Sequence, residues 1–161
     1  MSIGHTIFNN WSRLSRWPGG KWLFSRLVGR MVPYSGTISA NICELEPGFA
    51  KVELPDHRRI RNHLGSIHAI SLANLGELAS GLAVLTGLPN GVRGILVGLQ
   101  VEYVKKARGK LTCISTAEKV SPIENEEHKV SAVIADETGD TVATVHASWM
   151  LGPEKKRKGS S

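Results

Sequence analysis

From Ala69 to Leu85 the chain runs for seventeen residues with one charge, Glu77, and no proline. Length and composition predict a helix, with Ser66 placed to cap its start and Thr86-Gly87 followed by Pro89 to stop it. At about 100° per residue two faces separate. Leu72, Leu75, Leu78, Ala79 and Leu82 gather on one side, which must be buried in a core. Ile70, Ala73, Asn74, Glu77, Ser80, Gly81 and Val84 gather on the other. A solvated face would carry lysines, arginines and several acids, whereas this one has a single carboxylate among small residues. Glu77 is therefore the residue to explain.

The rest of the chain supplies material to wrap that helix. Residues 6–31 read as two short amphipathic helices broken at Pro18-Gly19-Gly20, a flap bearing Phe8, Trp11, Trp17 and Trp22. Packing over a sheet is the plain reading of this flap. Tryptophans interleaved with arginines also suit a membrane surface or a lipophilic ligand. Thr37 to Leu45 and Phe49 to Leu54 read as a hairpin about Pro47-Gly48. After Pro89-Asn90-Gly91 the period becomes two, so that Ile95, Val97, Leu99, Val101 and Tyr103 share one apolar face of a long half-buried strand. Leu111 to Val120, Lys129 to Asp136 and Thr141 to Leu151 read as three more strands. The order of flap, two strands, long helix and four strands predicts an α+β fold, with an antiparallel sheet wrapped round one helix.

The 161 residues suit one domain. Residues 1–32 form the flap, 33–151 the main body, and 152–161 a disordered basic tail with no nucleic-acid role. No run of about eighteen apolar residues appears, so no membrane span is predicted, and no secretory signal is read in the first thirty residues. Cys43 and Cys113 lie far apart in strand-like surroundings and make no metal or redox motif, which fits a reducing cytoplasm. The net charge of +6 favours an anionic partner without naming it. Residues 1–43 contain Arg13, Arg16, Lys21, Arg26 and Arg30 and no acid until Glu44. His57, His63 and His68 match no usual zinc spacing, no nucleophile elbow is present, and no cofactor is implied.

Asn62-x-x-Gly65-Ser66-x-His68, followed nine residues later by Glu77, resembles the signature of hotdog-fold acyl-CoA thioesterases of the phenylacetyl-CoA type. The similarity is closest to the thioesterase-like DUF4442 group and runs from about Trp11 to about Trp149, including Val32-Pro33-Tyr34. The resemblance implies a base or nucleophile at Glu77, an oxyanion donor at the Ala69 amide, and an orienting role for Asn62. Ser80, one turn beyond Glu77, is the residue placed to hold the acid or a water. Two departures stand out: Ala69-Ile70 where the family has Gly-Gly, and Glu where it has Asp.

The chemistry suits these residues. Amides at a helix N-terminus, those of His68 and Ala69, are fixed donors for a developing oxyanion. A desolvated Glu with a raised pKa can activate water or attack directly. Eight residues at 1.5 Å each put Glu77 roughly 12 Å from Ala69 along one helix. One subunit must then supply the acid and another the amide, which predicts a homodimer or a dimer of dimers. Gly65, His68, Asn74 and Gly81 are the candidate pocket residues, with Lys105, Lys106 and Arg108 for the phosphates of coenzyme A. Each has a plainer alternative. Glu77 also reads, as the lesser alternative, as an interface acid paired with an arginine, Ser80 as a small packing residue, Asn62 as a turn former, His68 as a buried core histidine, and the basic turn as solvated. A non-catalytic hotdog protein binding acyl-CoA or another lipophilic ligand, and a hotdog dehydratase or hydratase using His63, remain the alternatives to hydrolysis.

Overall fold

The computed structural model describes residues 3–120 and 124–154. In chain order it contains α1 (Ile3–Leu14), α2 (Gly20–Met31), α3 (Pro33–Gly36), β1 (Asn41–Glu46), β2 (Phe49–Leu54), a 3₁₀ turn (Arg58–Ile60), α4 (Ala69–Gly87), β3 (Val92–Tyr103), β4 (Leu111–Thr116), β5 (Glu126–Ala135) and β6 (Thr141–Pro153). The six strands form one antiparallel sheet in the order β1-β2-β4-β5-β6-β3, curled round α4.

Leu72, Leu75, Ala79 and Leu82 of α4 are buried with Val52, Leu54, Leu111, Cys113, Ile134 and Val145 of the sheet in one cluster. The approach is close. A Cβ at Gly76 would overlap the Val145 side chain, and one at Gly81 would sit 3.1 Å from the Trp149 ring. The second face of α4 is not one face, as the sequence suggested. Gly81 and Val84 turn toward a smaller cluster with Val130, Ala147, Trp149 and Leu151, because the curled sheet packs on that side of the helix as well. Asn74 and Glu77 face α3, and Gly4 of α1 presses on the Leu85 carbonyl. By length and hydropathy α4 would qualify as a membrane span, contrary to the expectation from apolar runs, but most of it lies inside the sheet.

The flap is continuous with this core. Trp11 packs edge-on to Phe24 with centroids 5.2 Å apart, and both are buried with Ile7 and Val28. Trp17 and Trp22 remain exposed.

Several boundaries differ from those read in the sequence. Pro33 opens a one-turn helix, the Thr37 hydroxyl donates to the Tyr34 carbonyl, and Ser39 has φ 55°, so β1 starts only at Asn41. β4 ends at Thr116, four residues early. A bulge between Leu96 and Gly98 breaks the apolar face of β3. Leu99, Val101 and Tyr103 oppose Ala147, Val145 and Ala143 and look toward the helix, while Ile95 opposes Met150 and looks outward. One inserted residue reverses the side-chain alternation on either side of it. Of the expected tail, Gly152 and Pro153 belong to β6 and the Glu154 amide donates to the Gly91 carbonyl; residues 155–161 lie outside the described residues.

Gly76→Ala should lower stability by about 1–3 kcal/mol in urea unfolding, since the new methyl group meets a β-branched side chain held in a strand. Adding Val145→Ala should return at least half of the loss. No recovery in the double variant would mean that the helix backbone, not this contact, is what Gly76 protects.

Candidate active site

Glu77 sits midway along α4 and is half-buried. Its Oε2 accepts a hydrogen bond from Ser35 Oγ at 3.3 Å. Burial pushes its pKa up, and the Ser35 hydroxyl offsets part of that rise. Among the described residues no cation pairs with it. Asn74, one turn earlier, is buried, and its Nδ2 donates to the Tyr34 carbonyl at 3.3 Å while Oδ1 has no partner. Two polar contacts thus hold α3 over this face of α4. Asn74 uses its amide nitrogen to hold α3, with its oxygen still unpaired. Ser35 was not singled out by the sequence; Pro33, which favours a helical first turn two residues before it, was the available signal.

The N-terminus of α4 follows from counting amides. His68, not Ser66, is the N-cap, with its Nδ1 accepting from the Ile70 amide at 3.1 Å. Ser66 is drawn inward because Arg61 and Ile67 form a bridge one step closer to the helix. His68 is correspondingly exposed, not a core histidine. Its own amide donates to the Ile60 carbonyl at 2.7 Å, so it is unavailable to an oxyanion. The Ser71 and Leu72 amides return to the His68 carbonyl. The Ala69 amide alone in this first turn has no acceptor among the described residues.

Ala69 lines a cavity of about 270 Å³ together with Asn62, Ser66, Tyr103, Lys105 and Lys106. Asn62 Oδ1 accepts from the Leu64 and Ser66 amides at 2.9 and 3.1 Å, a turn-forming role. Gly65, with φ 69°, permits that turn and does not line the cavity. Lys105 is tied to Asp136 at 2.7 Å and Asp140 at 2.8 Å, whereas Lys106 and Arg108 are exposed and make no ion pair among the described residues. Tyr103, which the sequence assigned only to an apolar strand face, donates its hydroxyl to the Ala69 carbonyl at 3.0 Å and so ties β3 to the first turn of α4.

Two expected site residues lie elsewhere. Ser80 is fully buried and its hydroxyl donates to the Glu77 carbonyl at 3.0 Å, away from the carboxylate, because a serine inside a helix reaches the backbone one turn back more readily than a side chain. Gly81 is a close-packing position under Trp149. On the outer sheet face, Ser131 Oγ and His146 Nδ1 lie 2.9 Å apart, with Glu102 3.8 Å from His146 Nε2. These strands pair continuously around the three residues, leaving no backbone donor for an oxyanion there. No group of three or more His, Cys, Asp or Glu among the described residues is placed to hold a metal ion.

Residues 20–151 match the model of a family described as a domain of unknown function, DUF4442. A crystal structure from a genomics programme superposes with a TM-score of 0.80 at 27% identity, covering 95% of this chain and 100% of the other. A probable thioesterase of unknown function from Pseudomonas aeruginosa gives 0.74 at 20% identity, covering 86% and 97%. A curated protein of Halobacterium salinarum, provisionally named an esterase, is 27% identical over 112 residues, 66% of this chain and 74% of its own. The likeness establishes the hotdog fold.

Because burial raises the Glu77 pKa, the folded protein holds that proton more tightly than the unfolded chain. Its stabilising contribution is full below the unfolded value and lost as pH rises through the folded one. Glu77→Gln should therefore melt above the wild type at pH 8, with the gap closing near pH 4. A gap that is constant with pH in thermal scans would contradict this.

Proposed function

The chain belongs to the DUF4442 family, and on that basis we propose that it is an acyl-CoA thioesterase whose site is shared between two subunits. Glu77 is the base or nucleophile, and the Ala69 amide of a second copy is the oxyanion donor. The observation that carries this reading is the pairing of a desolvated acid, bonded only to a neutral hydroxyl, with one unpartnered amide at the start of the same helix. Roughly 12 Å of helix separates them, so they meet on one carbonyl only across a two-fold.

The sheet edge supports such an assembly. β3 is one of the two edge strands and is twelve residues long, and an edge strand of that length invites pairing. On the helix side of this edge, Leu99 and the adjoining Ile70 of α4 are 40% and 53% exposed. Pairing β3 with its copy would cover them and bring the partner's α4 alongside.

In the reaction, the carbonyl carbon of the thioester gains an oxygen, either from water that loses its proton to Glu77 or from the Glu77 carboxylate followed by water. The C–S bond breaks, and the departing thiolate takes up a proton. The amide donor holds the transient oxyanion. Lys106, which lines the Ala69 cavity, and Arg108, two residues on, are exposed cations without an ion pair among the described residues and would meet the phosphates of coenzyme A. Binding without turnover is the second reading, favoured by the diversion of Ser80 and Asn62 to backbone contacts.

A thiol-release assay over short, long and aromatic acyl-CoAs should show turnover that falls at least about a hundredfold in Glu77→Ala and Glu77→Gln. Ala69→Pro offers a sharper test. It removes the single free amide at a first helical position where proline is tolerated, after a residue already extended at φ −67°, ψ 140°. The helix should persist while kcat drops by about 10²–10³. Acyl-CoA binding with every substrate inert would leave the binding reading in place of the hydrolytic one.

A further inference from the structure

A second cavity, of about 500 Å³, lies between α2, α3 and the start of β1, on the side of the sheet away from β3. Leu23 and Leu27 of α2, Ile42 of β1 and Leu78 of α4 give it apolar walls. Its charged residues are Arg26 and Arg30, and no acid lines it. The size falls within the range of small-molecule sites, about 300–1,000 Å³.

The arginines differ in how they are held. Arg26 Nη2 donates to the Ser39 carbonyl at 3.0 Å, the Ala40 carbonyl at 2.8 Å and Asn41 Oδ1 at 3.0 Å. Neutral acceptors fix the guanidinium without cancelling its charge. Its Nε is buried with no partner, a donor left unused where leaving one unused is costly. Arg30 is exposed and makes no ion pair among the described residues. An anchored cation in a partly apolar cavity is complemented by an anion that carries its own apolar body.

We propose that this cavity binds a long-chain fatty acid, with its carboxylate at Arg26 and Arg30 and its chain along Leu23, Leu27, Ile42 and Leu78. The assignment stands independently of hydrolysis. It touches the Glu77 site through one residue, since Ser35 both lines this cavity and donates to the Glu77 carboxylate. A bound chain would therefore bear on the residue that holds the acid.

The test is displacement of a fluorescent fatty-acid analogue from the whole protein by palmitate, with hexadecanol as the uncharged control. Two variants accompany it, Arg30→Gln and Leu27→Asp, both at exposed positions and checked for folding by circular dichroism. Palmitate should displace the probe, with hexadecanol and both variants weaker by about tenfold or more. Failure of palmitate to bind, equal binding of hexadecanol, or wild-type affinity in both variants would overturn the proposal. So would cosedimentation with phosphatidylglycerol vesicles without displacement by palmitate, which would make the α2 face a lipid-surface contact. If palmitate binds while every acyl-CoA is inert, the hydrolytic reading falls and the cavity assignment stands.

Discussion

The contact between Gly76 and Val145 is what lets an apolar helix serve as the axis of this molecule. A sheet can curl round a helix only if the two backbones approach closely somewhere, and a missing side chain at mid-helix provides that approach. From it follow the burial of Leu75, Ala79 and Leu82 on either side, and the orientation of α4 about its own axis. That orientation turns Glu77 away from the strands and under α3. A small residue in the core thus decides where the acid points.

Polar groups on α4 show how few are left over once the fold is satisfied. Asn74, Ser80 and Thr86 all bond backbone carbonyls, the last reaching both Leu82 at 2.7 Å and Glu46 at 3.1 Å. His68 caps the helix, and Asn62 builds the loop before it. The Glu77 carboxylate, Asn74 Oδ1 and the Ala69 amide are the exceptions, the first bonded only by a hydroxyl and the other two unpartnered among the described residues. Function is best sought where the fold leaves such groups incompletely matched.

Much of this was legible in the sequence, for reasons that can be named. The single charge in a long apolar run marked both the central helix and Glu77, and the proline-glycine breaks marked the flap. Local periodicity could not reveal the bulge at Leu96–Gly98, because an inserted residue leaves both halves of β3 looking regular. Nor could it choose between Ser66 and His68 as the cap, since the Arg61–Ile67 bridge that decides it is a contact across a loop. The availability of an amide is likewise a tertiary property. His68 loses its own to Ile60, eight residues earlier, and no rule of spacing predicts that. Ser35 escaped notice because a lone serine gains meaning only from what lies opposite it.

The hydroxyl of Tyr103 joins the outer strand to the first turn of α4 at the residue that offers its amide. In the assembly proposed here, that strand is also where two copies meet. Anything that loosens the meeting would be felt at the amide before the pocket itself is disturbed. Dilution would then quiet such a protein twice over, once by separating the acid from its distant partner and once by slackening the hold on the donor. Its output would depend on its own abundance more steeply than on that of its substrate.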